Sequence, residues 1–399
     1  MKTAQIQSQL GQKVLAVTGD GRTVVRVPRS RVTLTHQSMR DQILDRWGQI
    51  VFEDIGCGSH ERSLFEAEFA AKVQQAHAVG VHSGTLALFL ALRACGVGLH
   101  DEVITVGNSD ISTTAAISQC GAEPVFCDIS GDDYTIDHAR VEELVTPRTA
   151  AILPVDLYGH PAHTKALRPI AEHFGLKIVE DAALATGAED FGFPVGAYSD
   201  VTVFSFAPFK PLGSVGNGAA VTTNDNTIAE QLRLLCGYGH GRQDLVRTLG
   251  HQAHLAEGFN MPLDPLQAAL LRIKLPHVEE WTRARRAVVA AYANGLKGAN
   301  LKLPAFRPDS KPTFRSYTIL VEDQDRVYRE LLNRGIEVVM HYVPPIYRQP
   351  VYGERHLRGA DRLEVTEKVT RRLICLPVTV ELTDEDIEHV VASVRAVVG

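Results

Sequence analysis

The sequence predicts an α/β fold: a mainly parallel sheet covered by helices, followed by a smaller α+β region. Three observations carry this. Between about residues 61 and 235, short runs rich in Val and Ile alternate with segments of helical period, the pattern of strands joined by helices of roughly 10–15 residues in a sheet covered on both faces. After about residue 260 the alternation stops and two helical segments follow one another. The chain then ends on an amphipathic helix.

Taken in order, SLFEAEFAAKVQQA (63–76) places Leu64, Phe65, Phe69, Ala70 and Val73 on one helical face, and Ser63 with Glu66 offers a capping box. HAVGV (77–81) reads as a strand, and TLALFLALRACG (85–96) as a buried helix stopped by Gly96. DEVITV (101–106), AEPVFCDI (122–129), TAAILPVDL (149–157) and LKIVED (176–181) read as further strands, with helical stretches around 112–120, 137–145 and 163–174. The run 265–296 reads as two helices with Pro276 marking a break. SYTILVED (316–323) and IEVVMHYV (336–343) are expected as strands around the helix DRVYRELLNRG (325–335). The last helix, 384–398, carries Ile387, Val390, Val391, Val394 and Val398 on one stripe and acids in its first turn.

A chain of 399 residues has length for two or three domains. Its 41 Lys plus Arg against 47 Asp plus Glu give a formal charge of −6, so no broad basic face is expected for nucleic acid or anionic lipid. The longest apolar run, LALFLAL (86–92), stops at Arg93, far short of the ~20 residues a bilayer requires. The N-terminal residues lack the apolar core of a secretory signal. Six cysteines (57, 95, 120, 127, 236, 375) show neither C-x-x-C nor metal-type spacing, which predicts reduced, mostly buried thiols and a cytoplasmic location. Small-molecule chemistry is the expectation.

Three segments offer it. SGTLALFLAL (83–92) puts Gly84 and Thr85 where a strand hands over to a helix. Free amides, the helix dipole and a hydroxyl there suit an anion, although the same residues also make an ordinary cap. KIVEDAALATGA (177–188) ends a strand on Glu180-Asp181; a carboxylate beyond the carboxyl end of a parallel strand can pair with a cationic ring nitrogen, or simply cap a helix. VTVFSFAPFKPLGSVGNGAAVTT (201–223) runs through Ser205 to Lys210 in an apolar loop with Phe206, Pro208, Phe209 and Pro211. A desolvated lysine has a lowered pKa and becomes a Schiff-base nucleophile, whereas a solvated one stays a surface cation. The G-x-x-G-x-G of 213–218 precedes a strand, so it reads as a sharp turn beside Lys210 and not as a dinucleotide loop. His160 and His163 lack a third ligand and read as loop residues. GYGHGR (237–242) either touches substrate or merely connects.

Gly84-Thr85, Asp181, Ser205 and Lys210 occur in one order together with FEAEFA, GAEPVFCDI, TPRTAAILPVDLYGHP, LKIVEDAA, FSFAPFK, FNMPLDPLQAALL and ICLPV. In these segments, from about residue 47 to the C-terminus, the sequence resembles the fold-type-I pyridoxal-phosphate (PLP) enzymes, specifically the DegT/DnrJ/StrS sugar aminotransferases. The resemblance implies an N-terminal arm (1–46), a large PLP-binding domain with a mainly parallel seven-stranded sheet (47–260), and connecting helices with a small C-terminal domain (261–399). It implies that Lys210 holds the cofactor covalently and later shuttles a proton, and that Asp181 keeps the pyridine nitrogen protonated. Thr85, the amides near Gly84, and Ser205 would bind the phosphate. Asn260 matches an asparagine that the family contributes from a neighbouring subunit, implying a homodimer with composite sites. His341, Tyr342 and Tyr347 in HYVPPIY are implied at the substrate, and Arg242, Arg247 and Arg348 are candidates for a nucleotide diphosphate.

The chain departs from the family pattern at two cofactor positions. Ile111 stands where an aromatic residue usually stacks on the ring, and Leu184 where Gln or His is usual; Tyr347, at the substrate, stands where the family often has His. The implied reaction moves an amino group from glutamate or glutamine, through pyridoxamine phosphate, to a nucleotide-linked keto sugar or a related cyclitol ketone, in antibiotic or other specialised-metabolite biosynthesis. Two other readings stand beside it. One is a PLP-dependent sugar dehydratase, although relatives of that kind carry His where this chain keeps Lys210. The other is a non-catalytic, PLP-binding regulatory protein.

Overall fold

The computed structural model describes residues 14–16, 23–54, 58–240, 253–353, 355 and 357–399. Cys57, Arg242, Arg247 and the end of GYGHGR lie outside the described residues, as does most of the chain before residue 23.

The Val/Ile runs form strands that suit a pleated, buried surface: β1 (His77–Val81), β2 (Glu102–Val106), β3 (Glu123–Cys127), β4 (Thr149–Ile152), β5 (Lys177–Asp181), β6 (Val201–Ser205) and β7 (Ala219–Thr223). They make one seven-stranded sheet in the order β1-β7-β6-β5-β4-β2-β3. β7 is antiparallel to both neighbours and the remaining pairs are parallel, as the α/β expectation required. Side chains alternate across the sheet. Val201 and Val203 of β6 face one core with α4 (Gly84–Ala94), α5 (Ile111–Gln119) and α6 (Thr164–Phe174). Phe204 faces the other, where Phe65 and Phe69 of α3 (Ser59–Lys72) meet Phe204 and Phe206 edge to face at centroid separations of 5.1–5.4 Å. Ser205 thus shares the face of α4.

Four expectations are corrected. Helix α3 starts and ends about a turn earlier than 63–76, beginning at Gly58 with φ 75°. A Cβ there would meet Pro265 Cβ at 2.7 Å and Ile50 Cγ2 at 2.9 Å, so only glycine fits the approach. Ser63 is therefore mid-helix and caps nothing, and Glu66 instead accepts the Gly80 N–H at 2.8 Å. The stretch 137–145 is two 3₁₀ turns, His138–Arg140 and Glu142–Leu144; buried Val141 and Leu144 three apart satisfy that period as well as the α-helical one. The segment 336–343 is not a strand. It makes single bridges, Ile336 to Val27 and Val339 to Cys375, before Pro344 and Pro345 remove further donors. The small sheet pairs β8 (Ser316–Leu320) with β9 (Leu373–Pro377) instead.

Around β8 and β9 pack α9 (Val278–Gly295), α10 (Gln324–Asn333) and α12 (Asp384–Val398). A Thr383–Asp386 capping box starts α12. Before α9, α8 (Pro265–Lys274) ends in a 3₁₀ turn at Leu275–His277, the break expected at Pro276. The early chain is no loose arm where it is described. Val27 accepts the Glu337 N–H (2.9 Å), and Arg31 pairs with Asp386 at 2.7 Å. Helix α1 (Val32–Ser38) leads to α2 (Arg40–Phe52), which runs across the 46/47 border and packs on α8 through Met39, Ile43 and Leu270. Among the described residues no helix is long and apolar enough to cross a membrane, and the five described cysteines are unpaired.

Candidate active site

The sheet presents its chemistry at the carboxyl ends of its parallel strands. Asp181 ends β5 and is buried. Its carboxylate accepts the Ala183 N–H at 3.1 Å and the Thr113 hydroxyl at 3.4 Å. Burial outweighs these bonds and the attraction of Lys210, pushing its pKa up to about 6. Lys210 follows β6 in a turn whose Gly213 leaves no room for a side chain: a Cβ would stand 2.5 Å from the Pro208 carbonyl oxygen. Burial pulls the Lys210 amine down to about 8, with Arg315 adding to the effect and Asp181 opposing it. At the end of β6 itself Ser205 touches α4, where a Cβ on Gly84 would meet Ser205 Cβ and Oγ at 3.1 Å. Ser83 caps α4, leaving Gly84 and Thr85 as its first two residues, whose amides have no carbonyl one turn earlier. Anion-binding amides, an acid suited to a cationic nitrogen and a shielded amine converge on one floor.

The opposite wall comes from distant parts of the chain. Tyr158, held at φ 60°, donates its hydroxyl to the His341 carbonyl at 2.6 Å and accepts the Arg315 N–H at 2.8 Å through its own carbonyl. Gly159, at φ 89°, allows Arg315 and Leu184 to approach; a Cβ would lie 2.9 Å from Arg315 N and 2.9 Å from the Leu184 carbonyl oxygen. Burial, then Arg315, Arg29 and Lys210, depress His341 to about 4. Burial and the neighbouring Asp110 and Asp181 push the Tyr342 phenol up. His341 therefore lies within electrostatic reach of Lys210, and Tyr342 within reach of Asp181. Ile111 stands at the mouth, 41% exposed, in a cleft it shares with His341 and Tyr342.

Other candidates lie elsewhere. The Tyr347 hydroxyl donates to Glu367 at 2.6 Å, its ring packs against Phe126, and it does not line that cleft. Arg348 pairs with the same Glu367 at 2.5 Å. Leu184 is partly exposed in the turn after β5. Asn260 is exposed, bridged to Gly237, and its neighbour Phe259 packs against Phe89; within its own chain it is not part of the pocket. His160 is buried edge-on against Phe306 at 4.1 Å, and no metal-type cluster occurs among the described residues.

Thr113, Arg29, Arg285 and Arg315 were not singled out from the sequence. Thr113 had a signal, since it sits one helical turn after the Asp110 cap of α5, with Ser109 Oγ 2.9 Å from its hydroxyl. The arginines had none, because only the tertiary fold brings them to Lys210.

Comparison with known proteins agrees with this arrangement. A family model described as the DegT/DnrJ/EryC1/StrS aminotransferase family matches residues 48–395. The chain is 43% identical over 333 residues to the dTDP-3-amino-3,4,6-trideoxy-alpha-D-glucose transaminase of Streptomyces venezuelae, covering 83% of this chain and 85% of that one. It is 42% identical over 337 residues to the erythromycin biosynthesis sensory transduction protein EryC1 of Saccharopolyspora erythraea, covering 84% and 90%. Its fold is similar to the crystal structure of DesV from S. venezuelae, with a TM-score of 0.86, 39% identity, and coverage of 93% of this chain and 98% of that one.

Proposed function

The chain belongs to the DegT/DnrJ/EryC1/StrS aminotransferase family and is a PLP-dependent aminotransferase; from that premise we propose that it aminates a nucleotide-linked keto sugar of specialised metabolism, with glutamate or glutamine as donor. The similarity to a dTDP-amino-sugar transaminase supports the substrate class. The observation that carries the reading is the shielded Lys210 amine facing a buried Asp181.

The residues fit the cofactor: the Gly84–Ser205 contact makes a cradle that any larger residue would fill. When bound, PLP supplies an electron-accepting ring that stabilises negative charge at the substrate carbon. In this proposal Gly84, Thr85 and Ser205 hold its phosphate, with the α4 dipole assisting. Asp181 would keep the ring nitrogen protonated, and that cation would offset the burial that raises the acid's pKa. Lys210 would hold the cofactor, and its Nζ would move the proton at the reacting carbon. An amine lowered to about 8 is neutral often enough near neutral pH to do both. Ile111 and Leu184 cover the ring by apolar contact where relatives use an aromatic or polar group. His341 and Tyr342 border the substrate, whereas Tyr347, bonded to Glu367, lies outside their cleft.

Asn260 faces outward beside exposed Phe259, Leu255 and Tyr238. That placement supports a homodimer in which Asn260 completes the partner's site. The domain division at residues 47 and 261, the cytoplasmic location, and the absence of nucleic-acid or membrane partners remain part of this proposal. Incubation of the PLP-loaded protein with dTDP-linked keto sugars and glutamate, read by mass spectrometry, tests it. A product that gains nitrogen supports amination. Loss of oxygen without nitrogen would favour a dehydratase, and no turnover a regulatory role.

A further inference from the structure

Lys210 also lines a cavity with an unusual charge balance. Its lining holds Arg29, Arg285, Arg315, Lys274 and Lys210 against a single carboxylate, Glu381. That carboxylate already accepts hydrogen bonds from the Thr35 and Thr379 hydroxyls. Arg29 is drawn toward Glu337 at 3.6 Å and lies over the Phe209 ring, and Lys274 donates to the Gly213 carbonyl. Arg315 and Arg285 have no such partners among the described residues. Arg285 is only 8% exposed, and its Nε and Nη1 have no hydrogen-bond acceptor. A buried guanidinium without an anion is unfavourable, and its donor fork matches a carboxylate's two oxygens.

We infer that Arg315, Arg285 and Arg29 form the seat for the carboxylate groups of the amino-acid donor. This rests on the aminotransferase reading above. The donor's nitrogen must reach the atom Lys210 holds, and its α-carboxylate is only two bonds from that nitrogen, so its seat has to adjoin Lys210. A sugar's diphosphate is several bonds further from the reacting carbon and needs a more distant seat. Five cations against one occupied carboxylate favour glutamate, with two negative groups, over glutamine, with one. Burial lowers both Arg285 and Arg315 to about 10, with Arg315 adding to the effect on Arg285 and Arg29 to that on Arg315, a penalty that a bound dianion relieves. The backbone of Arg315 is fixed by Tyr158 and by the close approach at Gly159.

The test uses the full chain, with glutarate as a dicarboxylate that cannot react. Calorimetry should show glutarate binding to the wild-type protein, weakened about tenfold or more in Arg315→Gln and in Arg285→Met, as loss of a charge-assisted pair implies. Arg285→Met should melt no lower than wild type, because it removes an unpaired buried charge. Arg315→Lys should recover part of the affinity. In the loaded enzyme, KM for glutamate should rise in both loss variants, while reaction of the pyridoxamine-loaded form with keto sugar changes less than about threefold. Unchanged glutarate affinity in both variants overturns the seat, as does loss of dTDP binding in place of glutarate binding. Wild-type protein that binds glutarate through these arginines yet transfers no amine would uphold the seat and contradict the aminotransferase reading.

Discussion

The pocket's floor and its wall are built in different ways. The floor, Gly84, Thr85, Asp181, Ser205 and Lys210, comes from the ends of β5 and β6 and the start of α4, locked by the register of one sheet. The wall, Arg29, Arg285, Arg315, His341 and Tyr342, is gathered from the N-terminal segment, helix α9 and the chain around the small sheet. Electrostatics separates them too. The floor pairs one acid with one lysine, whereas the charged groups lining the cavity beside Lys210 are five cations and a single carboxylate. The floor carries chemistry common to aminotransferases, and the wall selects what is brought to it.

If that division holds, Lys210→Ala should have the largest effect. Turnover should fall by about 10³-fold or more, from loss of covalent attachment and proton transfer together, measured as amine transfer under saturating substrates. Substitutions in the arginine seat should act on donor KM before turnover, and equal loss of turnover in both regions would erase the distinction.

Asp181→Asn should come next, with turnover reduced roughly 10²–10³-fold, the scale of losing one preorganised charge at the reacting group. Its apo stability should move the other way. The folded pKa of about 6 lies above the unfolded value near 3.9, so this group's favourable contribution is present below about pH 4 and lost as pH rises through 6. Melting curves should therefore show Asp181→Asn gaining on wild type at pH 8 and not at pH 4. Lys210 has the opposite sign. Lowered to about 8, it is penalised while charged in both states, and that penalty fades between pH 8 and about 10.

A smaller effect is expected for Gly84→Ala. The new Cβ would press on Ser205 at 3.1 Å, and cofactor affinity, followed by titration of apo protein with PLP, should weaken about tenfold, on the order of 1–2 kcal/mol. The smallest change in stability belongs to exposed Asn260→Ala, within ~0.5 kcal/mol of wild type. If its role lies in a partner's site, PLP affinity should nevertheless fall; unchanged affinity would remove Asn260 from the site.

The same contrast explains what was legible in the sequence. Strands β1 to β7 are continuous apolar runs, and each floor residue lies within a few residues of one, so local pattern located both the fold and Lys210. Helix α3 slipped by a turn because the cap signal at Ser63 was weaker than the packing that fixes Gly58 against Pro265. The strand expected at 336–343 failed because alternation describes burial and not pairing; its neighbours supply only single bridges. Arg29, Arg285 and Arg315 look like surface arginines in sequence, and nothing local marks them as lining one cavity. Tyr347 stands beside His341 and Tyr342 in sequence, yet Glu367 turns its hydroxyl elsewhere.

The central claim is that Lys210 is the cofactor lysine. The pocket contains its own competitor, Lys274, 2% exposed and lowered by burial to about 8 like Lys210. Borohydride reduction of the PLP-loaded protein, followed by peptide mass mapping with and without prior glutamate, tests the claim directly. The account predicts cofactor mass fixed on Lys210 alone and absent after glutamate treatment. Label on Lys274, or label on Lys210 that glutamate leaves untouched, would contradict it.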